Sequence, residues 1–270
     1  MQQFSTAPAE MIASLWRNRG LIVALVGRDV AGRYRGSMLG LMWSLFHPIF
    51  MLGVYTFVFG VVFRARWDQG GESKYEFAVV LFVGLMVFNL FSECVTRAPT
   101  LIIANVNYVK KVVFPLEILP WVVMGSALFH LAVSLVAWLI FHTTLFGVPQ
   151  SAAVLFPLIL APLIFFTMGL SWILASLGVF LRDVTQVVGI ATTALLFLSP
   201  IFYPLSSLPP EFVPLLRLNP LTPAVEQARA LLLWGRLPEG IALQIAAAAL
   251  TAVVGFAWFQ KTRKGFADVL

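Results

Sequence analysis

Six apolar stretches of 19 to 30 residues constrain this chain more than any other feature of its sequence. They cover residues 39–63, 77–96, 121–141, 152–181, 184–203 and 241–259. A helix of about 20 residues crosses the roughly 30 Å of hydrocarbon in a bilayer. None of the stretches alternates apolar with polar residues, as the strands of a membrane β-barrel do. The sequence therefore predicts an all-α, multi-pass membrane protein with six transmembrane helices.

The composition excludes an ordinary soluble domain. Apolar residues make up 60% of the 270 positions and charged residues 11%, against roughly 25% charged residues in soluble domains. The net charge of +6 comes from Lys and Arg residues at the ends of the apolar stretches, where they orient a membrane protein, so nucleic acid is not predicted as a partner. The single cysteine, Cys94, lies within the second stretch, which excludes an intrachain disulfide.

The distribution of Lys and Arg predicts the orientation of the chain. With a cytoplasmic N-terminus and six spans, twelve of the 18 basic residues fall on the cytoplasmic side and six, Arg229 among them, on the outer side. This excess obeys the positive-inside rule. We therefore expect both termini in the cytoplasm, with residues 1–38 as a cytoplasmic region and residues 39–270 as the transmembrane domain.

Residues 8–30 have the spacing of one amphipathic helix. The apolar positions of this helix are Ile12, Leu15, Trp16, Ile22, Val23, Val26 and Val30. A tryptophan among arginines suits the headgroup layer, so we expect the helix to lie along the cytoplasmic leaflet. Packing on a soluble partner is the alternative, and the two arrangements are compatible.

A basic segment, here called the collar, leads from this helix into the first apolar stretch. The collar residues are Arg28, Asp29, Arg33, Tyr34 and Arg35. Such a segment anchors the entry of the first span at the membrane surface.

Two proline-rich segments interrupt the pattern of spans. In residues 97–120, Pro99, Pro115 and Pro120 bracket a short amphipathic piece that predicts a surface helix over residues 100–115. Residues 204–240 are too apolar for a free loop, yet six prolines between positions 204 and 223 cut them, which predicts two short helices that re-enter the membrane or lie at its surface. Irregular backbone at that depth needs protein or a water-filled cavity beside it, so we expect this outer region near a conduit or lid.

The chain contains no recognisable catalytic or metal site. The phosphate-binding pattern GxxxxGK[ST] is absent, so hydrolysis of ATP is not predicted. The three histidines, His47, His130 and His142, lack metal-ligand spacing. Glu93 and Arg97 form an i,i+4 pair, for which a structural role is favoured over proton coupling. Aromatic residues could line a path for sugars or simply fill the core, and the candidates are Phe165, Phe197, Phe202 and Tyr203. Ser171, Ala175 and Gly178 form a small-residue face suited to close helix contact.

Several motifs resemble one family of membrane proteins. RDVAGRYRGSMLGLMWSLFHP at residues 28–48 resembles the entry to the first span in permease subunits of bacterial polysaccharide ABC exporters, which carry O-antigen, capsule or teichoic acid. NYVKKVVFPLEILP at residues 107–120, LRDV at 181–184 and the proline-rich segment 199–223 extend the resemblance over nearly the whole chain. His47 departs from the Asn that commonly precedes this proline in the family.

The resemblance implies partners and roles for particular residues. Such a permease acts as a homodimer with two copies of a separate ATPase, which binds ATP and Mg²⁺, so this chain itself needs no cofactor. The collar would form a cytoplasmic gate for lipid-linked polysaccharide and contact membrane lipids at the bacterial inner membrane. The residues implied to couple the permease to the ATPase are Asn105, Asn107, Tyr108, Lys110 and Lys111.

Three other functions remain as alternatives. An ion-coupled transporter needs acidic groups at mid-membrane, and a membrane-embedded transferase needs a His or Asp pair on a surface loop; the sequence favours neither. Within the family, an ABC permease for a drug, an antibiotic or another lipid-like substrate is the nearest alternative.

Overall fold

The structure is a computed structural model that describes residues 5–63, 67, 75–109 and 114–270. Every regular element in these ranges is helical, which confirms the predicted all-α class. Five helical segments in them are long and apolar enough to cross a membrane: Met42–Val62, Glu76–Leu101, Leu116–Phe146, Ser151–Phe180 and Ile241–Val269. The predicted fifth span corresponds to a shorter apolar helix, Val184–Leu198, so the count of six spans stays a prediction.

The helices are numbered in chain order. Their bounds are α1 Pro8–Arg17, α2 Arg19–Tyr34, α3 Met42–Tyr55, α4 Glu76–Leu101, α5 Val106–Val109, α6 Leu119–Phe146, α7 Phe156–Phe180, α8 Val184–Leu198, α9 Val213–Arg217, α10 Leu221–Trp234, α11 Ile241–Thr262 and α12 Phe266–Val269. The end of the bundle that carries α1 and α12 is called the termini end, and the opposite end is called the far end. α3 contains Pro48, and a π-helix, Thr56–Val62, extends it to the far end and is treated as part of α3. Phe59 of this extension stacks on Phe77 of α4.

The helix α4 forms the centre of the bundle. Most of its residues are buried, against α6, α7, α8 and α10. α7 approaches α4 closely at Gly178, where the absence of a side chain leaves room for the backbone carbonyl of Pro99. A Cβ at Gly178 would overlap that carbonyl. The predicted small-residue face is confirmed, since Ser171, Ala175 and Gly178 are all buried. By contrast, α3 and α8 bury few residues and expose apolar side chains along their length.

The N-terminal region forms two helices, so the prediction of one helix over residues 8–30 is wrong. The chain breaks at Asn18, whose backbone N–H and side-chain amide both donate to the carbonyl of Ser14 and so end α1. The residues that these helices bury are Met11, Ser14, Ile22, Leu25 and Val30. Three members of the predicted apolar face, Ile12, Trp16 and Val23, are instead exposed. The break at Asn18 changes the register of the second half, which carries Val23, whereas Ile12 and Trp16 lie on the exposed face of α1 itself.

The segment after α4 also differs from the prediction. α4 continues through Pro99 to Leu101, so Pro99 does not bound a separate surface helix. Helices packed by protein in a membrane tolerate an internal proline. A 3₁₀ turn, Ile103–Asn105, and the short α5 follow, and a second 3₁₀ turn, Leu116–Ile118, leads into α6. Lys110 and Lys111 lie outside the described residues, as do Arg64, Arg66 and Lys74 of the predicted outer loop.

Two short helices, α9 and α10, occupy the predicted outer region 204–240. Pro220 and Pro223 fall at the start of α10, where proline costs little because the first turn has no N–H partners to lose. α10 packs between α4 and α7, and it buries Leu221, Val225 and Leu231. Re-entry of these helices into the membrane stays a prediction.

Candidate functional site

The collar is tied to the bundle through Asp29. The two guanidinium nitrogens of Arg97 on α4 donate to the two carboxylate oxygens of Asp29, at 2.7 and 3.0 Å. The Ser126 hydroxyl on α6 also donates to Asp29, with Oγ 2.7 Å from Oδ2. One carboxylate therefore fastens α2 to both α4 and α6. Such two-point pairs between a guanidinium and a carboxylate are both strong and geometrically specific.

A second carboxylate, Glu93 on α4, pairs with Arg33 of the collar and with His130 of α6. Arg33 Nη2 lies 2.6 Å from Glu93 Oε1, and His130 Nδ1 lies 2.9 Å from Glu93 Oε2. The Tyr34 hydroxyl lies 3.3 Å from His130 Nε2. The predicted pair of Glu93 with Arg97 is present at 3.4 Å, but each residue has a closer partner on another helix. The structural role predicted for this pair is thus one part of a larger network.

Three helices each contribute two polar residues one turn apart to this network. The pairs are Asp29 and Arg33 on α2, Glu93 and Arg97 on α4, and Ser126 and His130 on α6. The sequence analysis did not identify Ser126 and His130 as site residues. Their spacing was the signal that could have found them, because residues four apart share one helix face and polar residues are rare in this apolar helix.

The environment perturbs two ionisable groups of the collar. Burial raises the pKa of Asp29, but hydrogen bonds from Arg97 and Ser126 and the charges of Arg97 and Arg33 outweigh it, so the pKa lies below its ordinary value. Burial raises the pKa of Tyr34 above its ordinary value, so the phenol stays protonated and able to donate.

The network leaves two collar guanidiniums for external partners. Arg33 is engaged with Glu93, whereas Arg28 and Arg35 are exposed and have no hydrogen-bond or ion-pair partner in the part of the chain that the structure describes. Arg28 lines a cavity of about 250 Å³ between α2, α4 and α6, together with Thr100 and Asn105. The structure thus brings a collar arginine and a predicted coupling residue to the walls of one cavity.

The predicted coupling residues occupy different environments. Asn105 donates from its amide to the carbonyl of Leu101, at 2.9 Å, and Asn107 is exposed. Tyr108 stacks on Phe114 with ring centroids 4.1 Å apart. Phe114 in turn packs against the cluster that Ile22 and Leu25 of α2 form with α6. The segment is therefore in contact with the helix that carries the collar.

Glu117, which the sequence did not single out, joins three distant parts of the chain at the termini end. Arg263 after α11 donates to Glu117 Oε2, and Ser14 of α1 donates to Glu117 Oε1 at 2.9 Å. The indole of Trp172 on α7 donates to the Glu117 backbone carbonyl at 3.1 Å. Arg263 also donates to the carbonyl of Phe114, at 2.8 Å. Both terminal helices are thus linked to the segment that enters α6.

Arg229, predicted to be a charge of the outer loop, is instead buried at the far end, with a relative exposure of 1%. Its guanidinium donates to the carbonyls of Val80, Pro200 and Ile201 and lies over the ring of Trp67 at 4.5 Å from the centroid. It therefore holds the end of α8 against α4 and α10. The burial of Arg229 could have been predicted from helical spacing, because Arg229 lies four positions after Val225 and so shares its buried face of α10.

Three of the four candidate aromatics gather near this point. Phe197, 62% exposed at the end of α8, stacks on Phe202 at 5.6 Å, and Phe202 lies 6.2 Å from Phe59 of α3. The Tyr203 hydroxyl donates to the carbonyl of Phe197 at 3.0 Å. Phe165 lies apart from them on α7 and packs against the core.

The described residues contain no group of three or more His, Cys, Asp or Glu side chains placed to hold a metal ion. The polar groups at the termini end are arranged as ion pairs and hydrogen bonds between helices. These groups hold α2, α4 and α6 together, and Arg28 and Arg35 add exposed positive charge at the same end.

Comparisons with known proteins find relatives over almost the whole chain. Residues 20–233 match the ABC-2 type transporter family. The chain is 32% identical to the O-antigen export system permease protein RfbA of Myxococcus xanthus, over 96% of this chain and 98% of that protein. It is 29% identical to a protein of the same name from Klebsiella pneumoniae, over 93% and 95%. It is 26% identical to the polysialic acid transport protein KpsM of Escherichia coli, over 88% and 92%. The family match covers the collar and the segment that leads into α6.

Proposed function

The chain belongs to the ABC-2 type transporter family, and from that membership we propose that it is the channel-forming permease of an exporter for lipid-linked polysaccharide. It is a multi-pass protein of the inner membrane and a transport component rather than an ATPase. One observation carries the proposal: the chain matches an O-antigen export permease over 98% of that protein's length. The polymer is of the O-antigen or capsule type.

In this proposal the chain crosses the membrane six times with both termini in the cytoplasm. α8 is the fifth span. Its 15 residues span about 22 Å at 1.5 Å per residue, and the segment around Pro200 and Ile201 continues toward the far end. The termini end then faces the cytoplasm, where the basic collar is attracted to anionic lipid headgroups.

Two copies of the chain assemble with two copies of a separate ATPase, which binds ATP and Mg²⁺. The faces that favour a second copy are those of α3 and α8, because these two helices contribute little to the core of one protomer. Exposed apolar side chains line both helices, Phe50 and Phe57 on α3 and Ile190 and Phe197 on α8 among them. A path for polymer between the two copies would pass these helices.

The coupling of ATPase to channel runs through contacts at the termini end. A push on residues 105–109 reaches α2 through Tyr108 and Phe114, and reaches α1 and α11 through Glu117 and Arg263. Arg28 and Arg35 are the collar groups suited to a pyrophosphate-linked lipid head, because guanidinium groups bind phosphate oxygens through paired hydrogen bonds.

Reconstitution tests the proposal. The permease and its ATPase, in vesicles, should move a lipid-linked glycan only when ATP is present, and an ATPase variant that cannot hydrolyse ATP should abolish the movement. Arg28→Gln combined with Arg35→Gln should reduce export while leaving membrane insertion intact. Glu211→Gln, an exposed far-end residue, is the matched control. Glycan transport at full rate without the ATPase would refute the proposal, and ATP-driven movement of a drug or antibiotic without glycan would establish the alternative substrate class.

A further inference from the structure

A cavity at the far end of the bundle has no role in the coupling just described. It has a volume of about 450 Å³ and lies between the start of α4, the end of α6 with the loop that follows, and the end of α10. Small-ligand pockets in proteins measure roughly 300–1,000 Å³. Its walls include Glu76, His142, Phe146, Gln150 and Trp234.

The polar groups of this cavity are mainly hydrogen-bond acceptors. His142 Nδ1 lies 3.0 Å from the carbonyl oxygen of Gly147, which can only accept, so Nδ1 carries the proton and Nε2 of the neutral ring is an acceptor. The carboxylate of Glu76 is an acceptor as well, and it has no hydrogen-bond or ion-pair partner in the described ranges. A ligand rich in hydroxyl groups supplies the donors that these atoms lack.

Gln150 lies in the wall of the cavity against a glycine. Gly235 has a positive φ of 62°, and a Cβ at this position would overlap Oε1 of Gln150. The amide therefore lies directly over the backbone at the end of α10. Gln150 offers both a donor and an acceptor, the usual complement of a hydroxyl group.

Aromatic rings form the apolar part of the walls. Trp234 is partly exposed, and Phe146 is 42% exposed. The His142 ring lies between Trp138 and Phe146, with centroids 4.8 and 5.6 Å away, which fixes its position. Flat apolar rings beside a few polar groups suit a ligand that has an apolar face and a polar edge, as a pyranose does.

We propose that this cavity is a sugar-binding subsite for neutral or amino sugars. Glu76 is the charged residue that the structure places in its lining, and the guanidinium of Arg236, over the Trp234 ring at 5.9 Å from the centroid, lies outside that lining. Repulsion by Glu76 therefore disfavours an anionic ligand such as a uronic acid or a phosphate. The inference rests on the proposed function in one respect: with the termini in the cytoplasm, the cavity lies on the outer side, where the exported polymer emerges.

Saturation-transfer NMR on the full chain in nanodiscs tests this inference. The probes are D-glucose, N-acetylglucosamine, glucosamine and glucuronic acid. We expect transfer to the C–H protons of the first three sugars and not to those of glucuronic acid. Trp234→Ala and Glu76→Gln should each weaken binding about tenfold, and Gln150→Ala, a milder change in the loop, should weaken it less. Trp258→Ala removes an exposed tryptophan of α11 away from the cavity and should leave binding unchanged.

The outcomes separate this inference from the proposed function. Absence of transfer to all three sugars overturns the subsite, as does equal transfer in the wild type and in Trp234→Ala. ATP-driven export of glycan is measured on the same preparation with its ATPase. Export without sugar binding overturns the subsite and leaves the proposed function standing, whereas sugar binding without export under an active ATPase overturns the proposed function.

Discussion

Arg97 and Asp29 form a two-point ion pair in which the guanidinium nitrogens lie 2.7 and 3.0 Å from the two carboxylate oxygens. The pair joins α4 to α2 across 68 positions of the chain. Asp29, the one acid of the collar, thus attaches the helix that carries the collar to the centre of the bundle. The arginines that remain exposed, Arg28 and Arg35, are then available to a phosphate-bearing partner.

Separating Asp29 from Arg97 should destabilise the protein, and the two changes should not be additive. Asp29→Asn and Arg97→Gln each leave a partly buried charge without its partner, so the double variant should lose less than the sum of the two. Residues in direct contact show coupling energies of about 0.5–3 kcal/mol. The side chains of Asp29 and Arg97 are 26% and 32% exposed, so solvent weakens their attraction, and we expect a coupling energy of about 1 kcal/mol. The free energies of unfolding of the wild type, the two single variants and the double variant, measured in detergent micelles, form the double-mutant cycle. Arg28→Gln is the control. Additive losses in the double variant would contradict the pairing.

Acid should weaken the same contact. The folded pKa of Asp29 lies below its unfolded value, since the Arg97 and Ser126 hydrogen bonds outweigh burial. The carboxylate therefore stabilises the fold fully above about pH 4, and this contribution is lost as the pH falls through the folded pKa. The wild-type melting temperature should thus drop more than that of Asp29→Asn between about pH 5 and about pH 3. Parallel curves for the two proteins would show that Asp29 does not carry this dependence.

Removing Arg229 should disrupt the far end. Arg229→Met leaves the buried carbonyls of Pro200 and Ile201 without their donor, at a cost of about 1–3 kcal/mol for each group. It also removes a second donor from the carbonyl of Val80, which lies within α4. We expect a loss of about 3 kcal/mol or more and easier proteolysis after α8. Arg217→Met, a change of the same chemistry at an exposed position, should have little effect. Similar stability for the two variants would mean that Arg229 is a surface charge after all.

A side chain at Gly178 should separate α7 from α4. Gly178→Val puts a branched side chain where a single Cβ already overlaps the Pro99 backbone, so one of the helices has to move. Overpacking of this kind costs about 1–3 kcal/mol. Gly20→Ala is the control, because nothing lies within 4 Å of its added Cβ. Thermal unfolding compares the two, and an unchanged melting temperature for Gly178→Val would contradict the close approach.

Neutralising Glu117 should loosen both termini. Glu117→Gln keeps the size of the side chain but removes the charge that holds Arg263, and hydrogen bonds to charged groups contribute about 1.5–3 kcal/mol. We expect faster proteolysis at α1 and α12, and reduced ATP-driven export with normal membrane insertion. Glu211→Gln should behave like the wild type. Wild-type proteolysis and export in Glu117→Gln would remove this residue from the coupling path.

The predictions that depend on residues close together in the chain are correct. Apolar stretches of membrane length predicted the long helices, and small residues at helical spacing predicted the close face of α7. Boundaries were less accurate, because a helix end depends on its neighbours. α4 passes Pro99 since α7 packs against it there, and the N-terminal helix breaks at Asn18 since that side chain turns back to Ser14.

The sequence by itself determined that this chain is helical, lies in a membrane and carries a basic collar at the entry to its first span. The physical reason is that the hydrophobic effect and helix periodicity act on residues close together in the chain. Only the tertiary structure decided which charges meet. Asp29 with Arg97, Glu117 with Arg263 and Arg229 with the backbone after α8 are pairs far apart in sequence, and a charge becomes a fastening point or a free binding group according to the helix that lies beside it.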